Sequence, residues 1–421
     1  MKFSKYLLGV VAAATLFFSC NDRDLKELTH QAYIAQTSTQ AGRLGSLRLT
    51  EENVSKAINV RLSAPQAKDE TYKLELSQEA LDEYNKLHGT SYVMLPADQL
   101  VFPTSQVVIK AGEVVSDPLT FTVKPLTKEL SESGKKFAVA FKLKGVNASS
   151  SILKGADTYV YRIRPLISTH APILGTYQGA YYFARAEGVT PVALDRFTVE
   201  MRVNINGFIR NNQSLFGWFA QVKDEGSEIY MRFGDADAPY NYLNIKFGKG
   251  GQIDRTFEGA KPDTWYHIAI VYDGAQATLY VNGEKIESTD KPAGRVFSLA
   301  DVIHIAASSP KYFPNACIFS EIRVWNRTRT QEQLRDDEFD VDPSTPGLLH
   351  YWMMNEGKGD VCKNAVKGAP SLQIYKVTEG LDIWDDAEAS ANMEAKKQKA
   401  APVWLSDIRS DGKGTTKVPN N

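Results

Sequence analysis

The sequence has few cysteines and almost no net charge. Three of its 421 residues are cysteine, and 49 Lys and Arg nearly balance 50 Asp and Glu, for a formal net charge of −1. A chain without a basic excess lacks a field that would hold nucleic acid, so we predict no nucleic-acid partner. Besides Cys20, only Cys317 and Cys362 are present. Outside the cytoplasm these two could form a disulfide, or they could be two separate buried thiols.

Motifs that would carry catalysis are also missing. The sequence has no G-x-S-x-G turn for a nucleophilic serine, no H-E-x-x-H, no paired C-x-x-C and no glycine loop that would hold phosphate before a helix. His267, His304 and His350 are predicted to be packed core histidines. These absences favour a binding protein over an enzyme, and we predict no cofactor.

Long apolar runs are limited to the N-terminus. Tyr6–Phe18 follows Lys2 and Lys5, is too short for a membrane span, and ends at Ser19-Cys20. This order resembles a bacterial lipoprotein signal of the Bacteroidetes type, covering residues 1–20, with Cys20 as the lipid anchor and residues 21–30 as a tether. The resemblance implies a lipid-anchored protein at the surface of the cell outer membrane. An ordinary cleaved signal with an incidental cysteine is the alternative.

The length suits two domains plus tails. Over residues 31–165, about seven short alternating runs are separated by Gly and Pro, which predicts an immunoglobulin-like β-sandwich. Tyr84-Asn85, Leu95-Pro96 and Ile109–Gly112 resemble the N-terminal domain of unknown function common in Bacteroides surface lipoproteins. That resemblance implies a spacer or partner-docking role. Pro165 and Pro172 are predicted to bound a linker.

A meander is predicted over Thr264–Gly283. Its strands are rich in aromatic and β-branched residues, and Asp273-Gly274 and Asn282-Gly283 supply the turns. Together with Phe319–Leu334 and Gly347–Gly368, this segment resembles the laminin G-like, concanavalin A-like domain family across residues 170–386. The resemblance implies a jelly-roll β-sandwich that binds glycans or proteins and less often hydrolyses glycans. Residues 387–421 are predicted to be a polar tail with a disordered end. The expected fold class is all-β.

Two kinds of chemistry occur on this fold, glycoside hydrolysis and calcium binding, and acidic residues of the sequence bear on both. Glycoside hydrolysis needs two carboxylates that flank one bond, and the nearest acidic cluster, Asp336–Asp340, has the wrong spacing and is predicted to lie in a solvated loop. Calcium, the one metal worth weighing, could be bound by Asp235 with Asp237, or by Asn355, Glu356 and Asp360. Ordinary turn chemistry explains the same residues.

Sugar binding requires an aromatic ring that stacks on a pyranose and polar groups that bind its hydroxyls. The loop Gly234–Tyr242 combines both kinds of group, and the remaining aromatic candidates are expected in or beside other loops. The candidate ligand-binding residues are Tyr240, Tyr242, Asp235, Asp237, Asn241, Trp218 and Tyr312.

We therefore predict a non-catalytic cell-surface lipoprotein that binds a glycan, with a role in polysaccharide capture. Two alternatives remain open. One is a protein-binding adhesin or scaffold, and the other is a glycoside hydrolase with unfamiliar carboxylates. The sequence does not identify the glycan, any protein partner or the oligomeric state.

Overall fold

The computed structural model describes residues 30–38, 44–88, 90–133, 135–219, 228–235, 239–254, 257, 259–308, 310–380 and 386–419. These residues divide into two compact units. The first contains the described residues up to 47 and residues 52–164, and the second contains residues 48–51 and those from 165 onward. In the part of the chain that is described, no helix is long and apolar enough to cross a membrane.

The first unit contains twelve strands and two helices in its described part. Their bounds are β1 Gln31–Ile34, β2 Leu44–Arg48, β3 Val54–Ile58, β4 Val60–Leu62, β5 Glu70–Leu76, α1 Gln78–His88, β6 Val93–Met94, β7 Leu100–Val101, β8 Gln106–Ile109, β9 Leu119–Val123, α2 Lys128–Glu132, β10 Phe137–Asn147, β11 Ser151–Ile152 and β12 Thr158–Arg164.

These strands form a sandwich-like set of sheets. The largest has the order β2-β12-β10-β5-β8, and the smaller ones are β3-β9-β7 and β11-β1-β4. Phe141 and Tyr161 of the large sheet contact Phe121 of β9, with ring centroids about 5 Å apart, so aromatic packing joins the layers. Helix α1 packs Ala80 and Leu81 on the opposite face of the large sheet. Ser77 accepts a hydrogen bond from the amide of Ala80, which satisfies a free donor at the start of α1.

The second unit is built from seventeen described strands and two helices. Their bounds are β13 Ser168–Tyr177, β14 Ala180–Leu194, β15 Phe197–Ile205, β16 Gln213–Phe219, β17 Ile229–Phe233, β18 Leu243–Lys246, β19 Gln252–Asp254, β20 Tyr266–Tyr272, β21 Ala277–Val281, β22 Glu284–Thr289, β23 Phe297–Ile305, β24 Ala316–Trp325, α3 Gln331–Asp336, β25 Leu348–Trp352, β26 Val361–Cys362, β27 Leu372–Val377, α4 Asp386–Lys396, β28 Gln398–Lys399 and β29 Trp404–Arg409.

Strand pairing arranges the second unit as two sheets. Sheet I has the order β22-β21-β20-β15-β24-β13-β29, with β25 paired to the far half of β24. Sheet II has the order β19-β18-β17-β16-β23-β14-β27-β28. The β13–β14 hairpin joins them. The main apolar core lies between the two sheets and contains residues such as Val199, Phe216 and Ile303. The all-β, concanavalin A-like architecture predicted from the sequence is confirmed.

The predicted meander is present as β20-β21-β22. Asn282 and Gly283 have φ angles of 52° and 73°, as a tight hairpin between β21 and β22 requires. Thr330 and Gln333 form a capping box at the start of α3.

Two expectations about the ends of this unit are wrong. Pro172 does not lie in a linker but inside β13, where Trp404 is its register partner and the pairing of β13 with β24 begins only at Ile173. Proline is tolerated in a strand where it leaves no ladder donor unpaired. The prediction of a disordered C-terminal end is also wrong for the residues described there, because Val418 is buried and donates its amide to Asp263.

Three tryptophans of the second unit pack in different apolar clusters. Trp325 and Trp352 are fully buried, whereas Trp265 is partly buried against a smaller apolar cluster. Cys317 and Cys362 are both buried free thiols, so the alternative of two separate thiols describes this structure.

Candidate functional site

The outward face of sheet II carries a continuous row of polar positions. Cross-strand partners in antiparallel sheets point to the same face, so the register pairs define the row directly. From β27 to β19 its members are Gln373, Arg185, His304, Gly217, Tyr230, Lys246 and Gln252. A second row beside it consists of Ser214, Arg232, Asn244 and Asp254. Alternate residues of the same strands fill the apolar core. Ser214, Arg232 and Asn244 of the second row are buried, whereas Tyr230, Lys246 and Gln252 keep partial or full exposure.

Arg232 is the centre of a polar cluster on that face. Its guanidinium donates to Asn244 Oδ1 at 3.0 Å, to Asn212 Oδ1, and to Asp235 Oδ1 at 2.6 Å, and it lies over the Tyr230 ring. Arg232 is 7% exposed. The guanidinium therefore fixes the positions of two amides, one carboxylate and one aromatic ring. We call these five residues the Arg232 cluster.

Asp235 connects the cluster to a second cation. Its Oδ2 lies 3.3 Å from Nζ of Lys246, whose side chain is 37% exposed. This single carboxylate pairs with two cations, so one net positive charge remains among the three groups. Burial raises the pKa of Tyr230, so its hydroxyl stays protonated at neutral pH.

The described parts of the predicted Gly234–Tyr242 loop, residues 234–235 and 239–242, adjoin the Arg232 cluster. Gly234 donates its amide to the carbonyl of Tyr242 and accepts from the amide of Asn212. Its φ is +72°, and a Cβ there would lie 2.9 Å from Cα of Asn211 and 3.2 Å from Cα of Tyr240. Only glycine allows this close approach. Tyr240 is 41% exposed, and its backbone lies against Gly234, the residue before Asp235 of the cluster.

Asn241 fixes the far side of the loop. Its side-chain amide donates to the carbonyl of Ala260, and the amide of Ala260 donates back to the carbonyl of Asn241. Tyr242, just before β18, is partly buried. The predicted residues Tyr240, Tyr242, Asp235 and Asn241 are therefore neighbours in the structure. Asp237 lies outside the described residues.

Two other predicted residues lie elsewhere. Trp218 is not beside a loop but within β16 on the core face, fully buried and edge-on to His350, where a ligand would reach it only after rearrangement. Tyr312 is partly buried, with Nζ of Lys311 4.8 Å from its ring centroid. Neither Trp218 nor Tyr312 takes part in the contacts given above for the Arg232 cluster.

The acidic residues weighed for calcium have protein partners. Asp235 binds Arg232 and Lys246. Glu356 accepts from the amide of Lys363 at 2.7 Å, and Asp360 accepts from the side chain of Gln373 at 3.0 Å. Within the described ranges, no group of three or more His, Cys, Asp or Glu residues could hold a metal ion.

The outward face of sheet I carries a buried charge network that was not foreseen from the sequence. Glu200 is fully buried and contacts Nε2 of His267 at 3.0 Å, Nε1 of Trp325 at 2.8 Å and Nη1 of Arg323 at 3.6 Å. Alternation in β15 placed Glu200 opposite the core, but only the chain that follows β24 covers it. This network fills the outward face of sheet I with buried, paired charges. We therefore assign its residues a structural role.

The acidic cluster Asp336–Asp340 belongs partly to this network. Asp337 pairs with Arg329 at 2.7 Å and Glu338 pairs with Arg202 at 3.1 Å. The prediction of a solvated loop is wrong for these two residues, because they neutralise arginines buried on sheet I.

Two family models match parts of the chain. A model for an N-terminal domain family matches residues 28–150, and the model of the concanavalin A-like lectin/glucanases superfamily matches residues 178–335. The second domain therefore belongs to the concanavalin A-like lectin/glucanases superfamily, preceded by an N-terminal domain of a known family. This is the domain order that the sequence predicted. Among curated proteins, none matches the chain.

Similar solved structures come from bacteria and from an animal. A candidate carbohydrate binding protein from Bacteroides ovatus is 22% identical, with 82% of this chain and 95% of that chain covered and a TM-score of 0.46. A SAP-like pentraxin from Limulus polyphemus is 19% identical, with 40% and 81% covered and a TM-score of 0.31. EndoBT-3987 from Bacteroides thetaiotamicron is 18% identical, with 32% and 30% covered and a TM-score of 0.27.

Proposed function

We propose that this protein binds carbohydrate without hydrolysing it, at the Arg232 cluster and the adjoining Tyr240. The observation that carries the proposal is the exposed Tyr240 ring held beside a prepositioned set of amides and charges on sheet II. Membership of the second domain in a superfamily of lectins and glucanases supports the same class of ligand.

The chemistry of the cluster suits a polyhydroxylated ligand. A pyranose presents an apolar face that stacks on an aromatic ring and hydroxyls that both donate and accept. Arg232 holds the side-chain amide of Asn212, so that amide needs no further ordering when a ligand arrives, whereas Asn244 is 1% exposed and serves to position Arg232. Asp235 offsets one of the two positive charges of Arg232 and Lys246, so one net positive charge remains and the site can take a neutral or an acidic sugar.

Tyr240 provides the first test. A screen of the purified protein on a glycan array should identify a ligand, and Tyr240→Ala should then weaken its binding roughly tenfold or more, because a lost stacking ring costs on the order of 1–3 kcal/mol. The melting temperature should stay unchanged, since the ring is exposed. Isothermal titration calorimetry measures the affinity.

Tyr312→Ala is the matched control, because it removes a tyrosine from a different loop. Full affinity in Tyr240→Ala with a loss in Tyr312→Ala would move the site to the Tyr312 loop. An array that yields no glycan ligand would favour an adhesin or scaffold. Release of reducing sugars that persists through extensive purification would favour the hydrolase alternative.

The same proposal includes a place for the protein at the outer membrane, anchored by lipid on Cys20 and acting in polysaccharide capture. It is motivated by the basic, apolar and Ser-Cys order of the N-terminus. Cys20→Ala should shift the protein from the detergent phase to the aqueous phase, or leave it with its signal uncleaved. Unchanged detergent partitioning of a variant whose signal has been cleaved, as judged from its intact mass, would contradict lipid anchoring.

A further inference from the structure

The loop that follows β15, residues 206–212, is fixed by hydrogen bonds near its middle and at its end. The amide of Ile209 donates to Oδ1 of Asn315 at 3.2 Å. Asn212 donates its amide to the carbonyl of Gly234, and its side chain belongs to the Arg232 cluster. The backbone of this loop therefore has a defined position relative to that cluster.

Two side chains of the loop, Ile209 and Asn211, have unused binding capacity. Phe208 packs inward, edge-on to the ring of Phe233 with centroids 4.9 Å apart, whereas its neighbour Ile209 is 65% exposed. Asn211 is partly exposed, and its side-chain amide has no hydrogen-bond partner among the described residues. Single aliphatic residues are common on protein surfaces, but Ile209 lies on a fixed loop beside an amide that is free to bind.

Gly234 brings the exposed ring of Tyr240 to the same place. A Cβ at Gly234 would lie 2.9 Å from Cα of Asn211 and 3.2 Å from Cα of Tyr240, so these two Cα atoms are at most about 6 Å apart. Ile209 is two residues from Asn211, which places their Cα atoms within about 7 Å of each other. An aliphatic side chain, a free amide and an aromatic ring are therefore grouped around a residue that has no side chain of its own.

We propose that the carbohydrate ligand carries an N-acetyl group, which Ile209 and Asn211 bind while Tyr240 stacks on the sugar ring. An acetamido group presents an N–H donor, a carbonyl acceptor and a methyl group beside the pyranose. The side-chain amide of Asn211 can accept from that N–H or donate to that carbonyl, and the methyl group loses contact with water against Ile209. A hydroxyl in the same position would leave the aliphatic side chain without an apolar partner. This inference rests on the proposed function and adds the class of sugar to it.

The test compares glycans that differ in the acetamido group alone. Chitotriose and cellotriose form the first pair, and each glycan that binds on the array is paired with its counterpart in which a hydroxyl replaces the acetamido group. Isothermal titration calorimetry on the purified protein should show the acetamido member binding roughly tenfold or more tightly. Array ligands without N-acetyl groups, or equal affinities within each pair, would overturn the inference and keep the proposed site, provided that Tyr240→Ala weakens binding. No binding within the pair and no ligand on the array would overturn the proposed function as well.

Two variants test whether Ile209 and Asn211 provide the preference. Ile209→Ala and Asn211→Ala should each weaken binding of the acetamido member roughly fivefold and leave binding of its hydroxyl counterpart unchanged. Tyr240→Ala should weaken both members by the same factor, because stacking does not involve the acetamido group. The melting temperature of Ile209→Ala should stay unchanged, since the side chain is exposed, so this variant remains informative if Asn211→Ala lowers stability.

Val296→Ala is the matched control, because it removes a second exposed aliphatic side chain from the other end of the sandwich. Val296 is 58% exposed and adjoins Phe297, whose ring contacts Phe197 at the start of β15, whereas Ile209 follows the end of β15. Both affinities should be unchanged in Val296→Ala. An acetamido preference that survives in both Ile209→Ala and Asn211→Ala would show that other residues bind the N-acetyl group and would overturn this assignment.

Discussion

Among single residues, Glu200 carries the largest expected effect on stability. Burial by itself would raise its pKa, but the charge of Arg323 and the hydrogen bond from His267 outweigh burial and hold the pKa at about 2. Replacing the carboxylate by an amide leaves Arg323 and Arg329 with less compensation in a dry environment. We expect Glu200→Gln to lower the unfolding free energy of the second domain by about 3 kcal/mol, measured by urea denaturation.

The same residue predicts a pH dependence. Its pKa lies below the ordinary value of 4.5 in the folded state, so its contribution is complete above pH 4.5 and is lost as the pH falls toward 2. The stability difference between the wild type and Glu200→Gln should therefore shrink over that window. Glu284→Ala, which breaks an exposed pair with Arg335, is the control and should cost less than about 1 kcal/mol. A Glu200→Gln effect as small as that of the control would contradict the network.

At the scale of elements, the hairpin between β21 and β22 depends on Gly283. Its φ of +73° lies in the left-handed region, where a residue with a Cβ costs about 1–2 kcal/mol of folding free energy. A Cβ at Gly283 would also lie 2.2 Å from Cγ of Arg335. Gly283→Ala should therefore lower the melting temperature more than Gly294→Ala, which has the same φ but nothing within 4 Å of an added Cβ. Equal effects in a thermal melt would show that Arg335 moves aside at little cost.

Elements with a local signal were predicted well. The D-G and N-G turns, the Thr330–Gln333 capping box and the Ser77 cap are fixed by residues close in sequence, and each is present. Strand β29 and the place of Pro172 were missed for a common reason. Their pairing joins segments more than 200 residues apart, and no local pattern in either segment specifies that partner.

At the scale of the whole molecule, the C-terminal segment belongs to the second domain. Strand β29 pairs with β13, and Asn204 donates to the carbonyl of Thr416 at 2.6 Å. We expect a fragment of residues 166–421 to melt cooperatively at a higher temperature than a fragment of residues 170–386, because the shorter one loses β29 and exposes the β13 edge. Differential scanning calorimetry makes the comparison. Identical melting temperatures would show that the C-terminal segment adds nothing to stability.

A fragment of residues 30–164 addresses the first unit. The aromatic contacts among Phe121, Phe141 and Tyr161 give it a core of its own, so it should unfold in a single transition when expressed alone. Loss of cooperative unfolding in this fragment would mean that the first unit depends on the rest of the chain.

The sequence by itself determined the all-β class, the order of the two domains, the meander and the loop that pairs Tyr240 with polar residues. These follow from period-two alternation and turn chemistry, which act over a few residues. Only the tertiary structure decided that Trp218 faces the core, that Arg232 gathers Asn212, Asn244 and Asp235, and that Gly234 brings Asn211 next to Tyr240. Such groupings depend on which strands become neighbours and which face is covered, and that is fixed by packing between distant segments.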